Sequence, residues 1–218
     1  MERIRITDIS PQKRGKGRYL VSFEGAEPIS LCAETLYRRG LRVGDELDER
    51  AIREIEGEDE LVRAREAALR LLSYRRRTER ELYDRLLRKG FSRESVENTV
   101  QRMRSLGFLN DLEFAEDWVR QCVERNPMGR RKVEEKLRLK GVPDEIARNV
   151  AGRFFSDIDE IALARSLLLK RLWRYRGLER AKALKRMSDF LYGRGFDWET
   201  IARAVEEIWR DIEGDEIG

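Results

Sequence analysis

"LLRKGFSRES", residues 86–95, decides how this chain is read, because the same sentence is written twice more. "LRLKGVPDEI" runs over 137–146 and "LYGRGFDWET" over 191–200. Aligned on Gly90, Gly141 and Gly195, the copies recur at 51 and 54 residues. The apolar residue four places before each glycine is Leu86, Leu137 or Leu191, and the one after it is Phe91, Val142 or Phe196. A glycine that ends an apolar-periodic run, followed by a hydrophobic residue, is the sequence form of a helix closed by a left-handed turn. Regularity at this period marks tandem helical units, each too small to bury its apolar face alone.

Working outward, helical period begins near Glu58. Leu61, Ala64, Ala68, Leu71 and Leu72 form a first stripe. Thr78 is placed to cap a second helix, with Glu81 three residues on as the other half of a capping box. Ser92 opens a third helix carrying Val96, Val100 and Met103. The second round starts at Asp111 as N-cap, with Phe114, Ala115, Trp118, Val119 and Cys122, and breaks at "NPMG". The third round starts at Ser156 or Asp157.

Before position 58 the pattern alternates instead, as half-buried strands do. Ile4 and Ile6 form one such run, Tyr19, Val21 and Phe23 another, with a basic hairpin loop, "PQKRGKGR", between them. A short strand follows, then a short helix stopped by Gly40 and a turn at Gly44-Asp45. The expected fold class is mainly α: three tandem three-helix repeats in an elongated array, preceded by a small β-rich unit. The expected boundaries are 1–57 for the β-rich unit, then 58–108, 109–155 and 156–213 for the repeats, and 214–218 for a tail.

Composition narrows the chemistry. The chain has 218 residues, 40% of them charged, with a net charge of +4. It has no histidine, which removes His-based triads and His metal ligands. Cys32 and Cys122 lack metal-ligand spacing, and unpaired thiols suit a reducing cytoplasm. No apolar run reaches membrane length. "RGKGRY" lacks the spacing of a phosphate-binding loop. Glu134-Glu135 is ordinary helical surface charge. Nothing names a reaction, so no enzyme activity, metal or cofactor is expected.

Charge position carries more than its sum. Residues 70–90 and 120–140 each hold 8 basic and 3 acidic residues, and 165–194 hold 10 and 2. The third helices are the least basic part, so a DNA-reading helix-turn-helix is disfavoured, since its charge would lie on the wrong helix. Stacked repeats would join the basic segments into a stripe suited to phosphates or an acidic protein groove. The bland reading is that these are solvated arginine faces, paired at i, i+4 with glutamates. The candidate contacts are Arg75, Arg76, Arg77, Arg130, Arg131, Lys132, Arg171, Arg174, Arg176, Lys182, Lys185 and Arg186. Charge reversal of Arg75, Arg76 and Arg77 is expected to spare the fold, because they lie between helices. Tyr74 and Tyr175 are expected to close helix ends against the core, and Trp118, Trp173, Trp198 and Trp209 to be core residues.

"ALRLLSYRRRTERELYDRLLRKGF", then "LGFLNDLEFAEDWVRQCVE" and "GRRKVEEKLRLKGVPDEI", resemble the bacterial RecX family of recombination regulators. The resemblance covers about Ala67 to Val150 and continues more loosely through the third repeat. Its most specific piece is the LNDxxFAxxWV run from Leu109 to Val119. It implies an all-helical, three-repeat, non-enzymatic protein. Such a protein binds the RecA recombinase and its nucleoprotein filament and modulates, chiefly inhibits, ATP hydrolysis and strand exchange. Beside the resemblance, a monomer in the cytoplasm is expected, and direct contact with single- or double-stranded DNA stays open. The β-rich start resembles an extension found in longer members. The competing expectation is a generic nucleic-acid-binding helical protein without a recombinase partner.

Overall fold

The computed structural model describes residues 3–12 and 17–216, and the chain divides into two compact units, 1–109 and 110–218. Residues 13–16 of the expected basic hairpin loop and 217–218 of the expected tail lie outside the described residues.

Unit one opens with an antiparallel sheet. Strands β1 (Arg3–Pro11), β2 (Arg18–Phe23), β3 (Ile29–Cys32) and β4 (Glu46–Asp48) stand in the order β3-β2-β1-β4. Alternation decides the buried face: Ile6, Val21, Phe23 and Leu31 point inward, with Ile6 opposite Phe23 and Ile9 opposite Val21. A register shift between Ile6 and Asp8 marks an irregularity in β1. The short helix α1 (Ala33–Arg39) ends at Gly40, whose φ of 64° is the left-handed turn that its position foretold.

The next element departs from expectation. Helix α2 (Glu49–Tyr74) runs 26 residues without a break, straight through position 57/58. Its N-terminus is fixed by Asp48, whose side chain accepts from the Ala51 amide at 2.7 Å. Gly57, just before the point where the sequence turns helical in period, sits in mid-helix. The packing of Ile52 and Ile55 on the sheet outweighs glycine's poor propensity. Asp59, 1% exposed, ties the two parts together. It accepts from the Cys32 amide at 2.6 Å and pairs with Arg63 of its own helix at 2.9 Å and Arg18 of β2 at 3.4 Å. The β-rich unit and the first repeat therefore share a helix, with no linker between them.

The first repeat is completed by α3 (Glu79–Arg88) and α4 (Arg93–Ser105). Thr78 and Ser92 cap them as expected, accepting from the amides of Glu81 and Ser95. The core of this repeat includes Leu82, Leu86, Val96 and Met103. Glu60 of α2 accepts from the Ser92 amide, the Ser92 hydroxyl and the Ser95 hydroxyl at 2.9, 2.5 and 2.7 Å. Burial pushes this carboxyl up, but those bonds outweigh it and hold it below its ordinary value.

Unit two holds two repeats. The second comprises α5 (Asp111–Arg125), α6 (Arg130–Leu139) and α7 (Asp144–Phe155). Its N-cap is Asn110, which accepts from the Glu113 amide, rather than Asp111, which is the first helical residue. The third comprises α8 (Glu160–Leu169), a single 3-10 turn at Leu172–Arg174, α9 (Arg180–Gly193) and α10 (Trp198–Glu216). It is capped by Asp159 and not by Ser156 or Asp157, because α7 runs on to Phe155 and leaves Ser156 as its C-cap. Helix α10 extends past the expected end at 213. Gly90, Gly141 and Gly195 have φ of 89°, 88° and 86°, so all three copies of the opening sentence end in the same left-handed turn. No helix among the described residues is long and apolar enough to cross a membrane.

Candidate partner-binding surface

The candidate cations do not form one class. In unit one, Arg75 and Arg76 are exposed, but Arg77 is 6% exposed and is a structural residue. Its Nε donates to the Leu71 carbonyl at 3.1 Å and its guanidinium pairs with Glu81. Arg75 also pairs with Glu81, and Arg85 reaches the same carboxylate at 3.3 Å. Burial works to raise the Glu81 carboxyl, yet the bonds and charges of Arg75 and Arg77 hold it below its ordinary value. Arg77 therefore corrects the expectation that these side chains need not pack. Its charge reversal would bury a carboxylate against Glu81 and test folding rather than contact.

In the second repeat the bland reading wins for two of three. Arg130 pairs with Glu134 at 3.0 Å and Lys132 with Glu135 at 2.8 Å. The third, Arg131, reaches into the third repeat. It donates to the Tyr192 carbonyl at 3.0 Å and lies 4.2 Å over the Tyr192 ring.

That contact is part of a seam between repeats two and three. The Gly129 amide, at the start of α6, donates to the Arg194 carbonyl at 3.0 Å. Arg194 in turn donates to Asn126 Oδ1 at 2.6 Å and to the Pro127 carbonyl at 3.2 Å. The Arg130 amide donates to Glu160 at 3.4 Å. Burial, reinforced by Asp197, raises the Glu160 carboxyl above its ordinary value despite that bond. Backbones meet here: a Cβ on Gly129 would stand 2.5 Å from the Gly195 carbonyl oxygen, and one on Gly195 would stand inside 3.0 Å of Lys132. Only glycine permits both approaches.

In the third repeat, Arg171 is half-buried and lies 4.3 Å over the Phe190 ring. Arg174 and Arg176 are exposed, and Arg174 lies 4.9 Å over Trp173. Lys182, Lys185 and Arg186 are exposed along α9 and make no ion pair among the described residues. Spacing of i, i+3 and i+4 puts them on one face, away from Ala183, Met187 and Leu191 in the core. Within unit two, the surface thus consists of paired cations on α6 and, on α9, a cationic face without ion pairs among the described residues.

The aromatics are sorted differently from expectation. Tyr175 at 4% and Trp209 at 7% exposure are buried, and Trp118 packs on the core of repeat two. Tyr74, Trp173 and Trp198 are exposed, at 86%, 71% and 65%. Trp198 stacks on Tyr192 with centroids 5.4 Å apart and planes 28° from parallel. A sequence signal for this pair existed. Three residues after the repeat glycine the other copies carry Arg93 and Asp144, so an aromatic there sets the third copy apart. Charge counting does not single out Tyr192 or Trp198, and it counts Arg194 without showing its place in the seam.

Three family models match the chain: RecX, first three-helix domain, over residues 64–103; the second over 110–150; and the third over 157–205. "Regulatory protein RecX" of Amycolatopsis mediterranei is 34% identical over 158 residues, covering 72% of this chain and 90% of that protein. The Bacillus subtilis protein of the same name is 30% identical over 211 residues, covering 97% of this chain and 79% of its own. A solved structure, "Crystal structure of regulatory protein RecX", is 27% identical with a TM-score of 0.72, covering 93% of this chain and 99% of that one. Coverage of that extent takes in most of the β-rich segment as well as the repeats. The repeat glycines, the LNDxxFAxxWV run and these matches agree: the chain belongs to the RecX family of regulatory proteins.

Proposed function

We propose that this protein regulates a RecA-type recombinase in the cytoplasm. It binds the recombinase and its nucleoprotein filament through the cationic face of α9 and lowers ATP hydrolysis and strand exchange by blocking filament extension. Membership of a family of regulatory proteins supports a protein partner. The observation that carries the reading is that Lys182, Lys185 and Arg186 make no ion pair among the described residues and share one helix face, whereas Arg75, Arg77, Arg130 and Lys132 are spent on ion pairs. A cluster of this kind steers toward polyanionic surfaces and gains from counterion release on binding phosphates.

The test is the DNA-stimulated ATPase of the cognate recombinase, read with wild-type protein and with a Lys182→Ala, Lys185→Ala, Arg186→Ala variant. Wild type should suppress the ATPase, and the variant should lose most of that suppression with its helical content intact. An unaffected ATPase with wild type would remove the recombinase reading. Full suppression by the variant would remove α9 as the binding face.

A further inference from the structure

Arg131, Tyr192 and Trp198 form a ladder of three flat groups at the corner where α9 meets α10. The guanidinium lies over the Tyr192 ring at 4.2 Å, and Trp198 stacks on the same ring at 5.4 Å. Trp198 has one partner and remains 65% exposed, so the ladder ends on an open indole. An indole in water fills no core and contributes little to folding. Its chain neighbours Asp197 and Glu199 are exposed and acidic.

The free cations lie on the same side of the helix. At 3.6 residues per turn, Lys182, Lys185 and Tyr192 share one face of α9, and a rise of 1.5 Å per residue sets Tyr192 about 10 Å beyond Lys185. Asp189 is the acidic residue on this face. The other nearby carboxylates are engaged: Asp197 accepts from the Thr200 amide at 2.8 Å, and Glu199 pairs with Arg203 at 2.7 Å. The corner thus sets the open Trp198 ring of α10 beside a face of α9 on which Lys182, Lys185 and Arg186 outnumber Asp189 three to one.

We infer that this corner is a single-strand nucleic-acid site, in which one unpaired base stacks on the outer face of Trp198 and the phosphates beside it run along Lys185, Lys182 and Arg186. A base is the natural fourth rung, because it is planar and carries its own negative charge on a short tether. A duplex cannot serve, since its bases are already stacked on both faces and show only their edges. An acidic peptide would satisfy the lysines but has no need of a flat open ring. The inference rests on the proposed role only in taking α9 as the partner-facing helix, and it assigns strand selectivity to residues outside the cationic set.

The experiment uses naked oligonucleotides and no recombinase, so its failure leaves the ATPase test standing. Binding of the whole chain is measured by fluorescence anisotropy to labelled oligothymidylate, to an abasic deoxyribose-phosphate oligomer of equal length, and to a duplex. Wild type should prefer oligothymidylate over the abasic strand by about five- to a hundredfold, the range of one base–aromatic stack. Trp198→Leu should abolish that preference while keeping salt-dependent binding, and Trp198→Phe should restore part of it. Neutralising Lys182, Lys185 and Arg186 should weaken both strands alike and flatten the log–log salt slope by roughly 0.7 for each phosphate no longer neutralised. Trp198 is exposed and Asp197 still caps α10, so the Leu variant keeps its fold. The inference is overturned if wild type binds both strands equally, or if Trp198→Leu keeps the preference.

Discussion

Replacing Gly195 by alanine should damage this protein far more than the same change at Gly90, although both glycines close the same turn of the repeat. Their φ angles are 86° and 89°, so the cost of forcing an alanine into the left-handed region is common to both. That cost is about 1–2 kcal/mol. Around Gly90 nothing lies within 4 Å of an added Cβ. At Gly195 the methyl would enter the backbone and Cβ of Lys132, at the first turn of α6, where no flexible side-chain end can swing aside. Overpacking of this kind adds about 1–3 kcal/mol. At roughly 2–4 °C per kcal/mol for a chain of this size, Gly90→Ala should lower the melting temperature by a few degrees and Gly195→Ala by about twice as much. Hydrogen exchange should quicken at the Gly129 amide, whose bond to the Arg194 carbonyl spans the seam. Gly193→Ala is the control: it ends α9 without a positive φ or a near neighbour, and it should be neutral or stabilising by up to about 1 kcal/mol. Equal losses at Gly195 and Gly90, with exchange at Gly129 unchanged, would refute the close approach of repeats two and three.

Arg77→Ala should cost about 1–3 kcal/mol in urea denaturation, because it strips the Leu71 carbonyl of its donor and leaves Glu81 short of a partner, whereas Lys182→Ala should stay within about 0.5 kcal/mol. Glu60 and Glu160 should give stability opposite dependences on pH. The folded Glu60 carboxyl sits below the ordinary 4.5, so its contribution is present above that value and lost as pH falls through the depressed one. The folded Glu160 carboxyl sits above 4.5, so its contribution is present below that value and lost as pH rises through the raised one. Urea midpoints of Glu60→Gln should therefore fall most at neutral pH, and those of Glu160→Gln least; a reversed order would contradict both assignments.

What the sequence revealed was local. Gly90, Gly141 and Gly195, the caps Thr78 and Ser92, and the stripes between them follow from rules that act within a few residues, and each is where those rules place it. The reading failed where a distant partner decides. Gly57 stays helical because Ile52 and Ile55 find a sheet to cover. Arg77 is buried because the Leu71 carbonyl and Glu81 await it, though arginine is ordinarily a surface residue. Trp198 is open to solvent because the corner of α9 and α10 leaves its outer face free, and an aromatic residue does not declare its face in sequence. Charge counting found the basic segments yet could not tell Arg130, spent on Glu134, from Lys185, spent on nothing among the described residues.

The unbroken helix α2 has a consequence for how this chain melts and for where it can be cut. Its first half belongs to the core of the sheet and its second half to the core of the first repeat. Neither core can come apart without fraying a helix the other depends on, so the two should unfold in one cooperative step. A protein trimmed to begin at residue 58, where the sequence pattern changes, would keep Asp59 and discard the Cys32 amide and Arg18 that answer it. The apparent domain edge is a hinge in composition only; in energy it is the middle of a single folding unit.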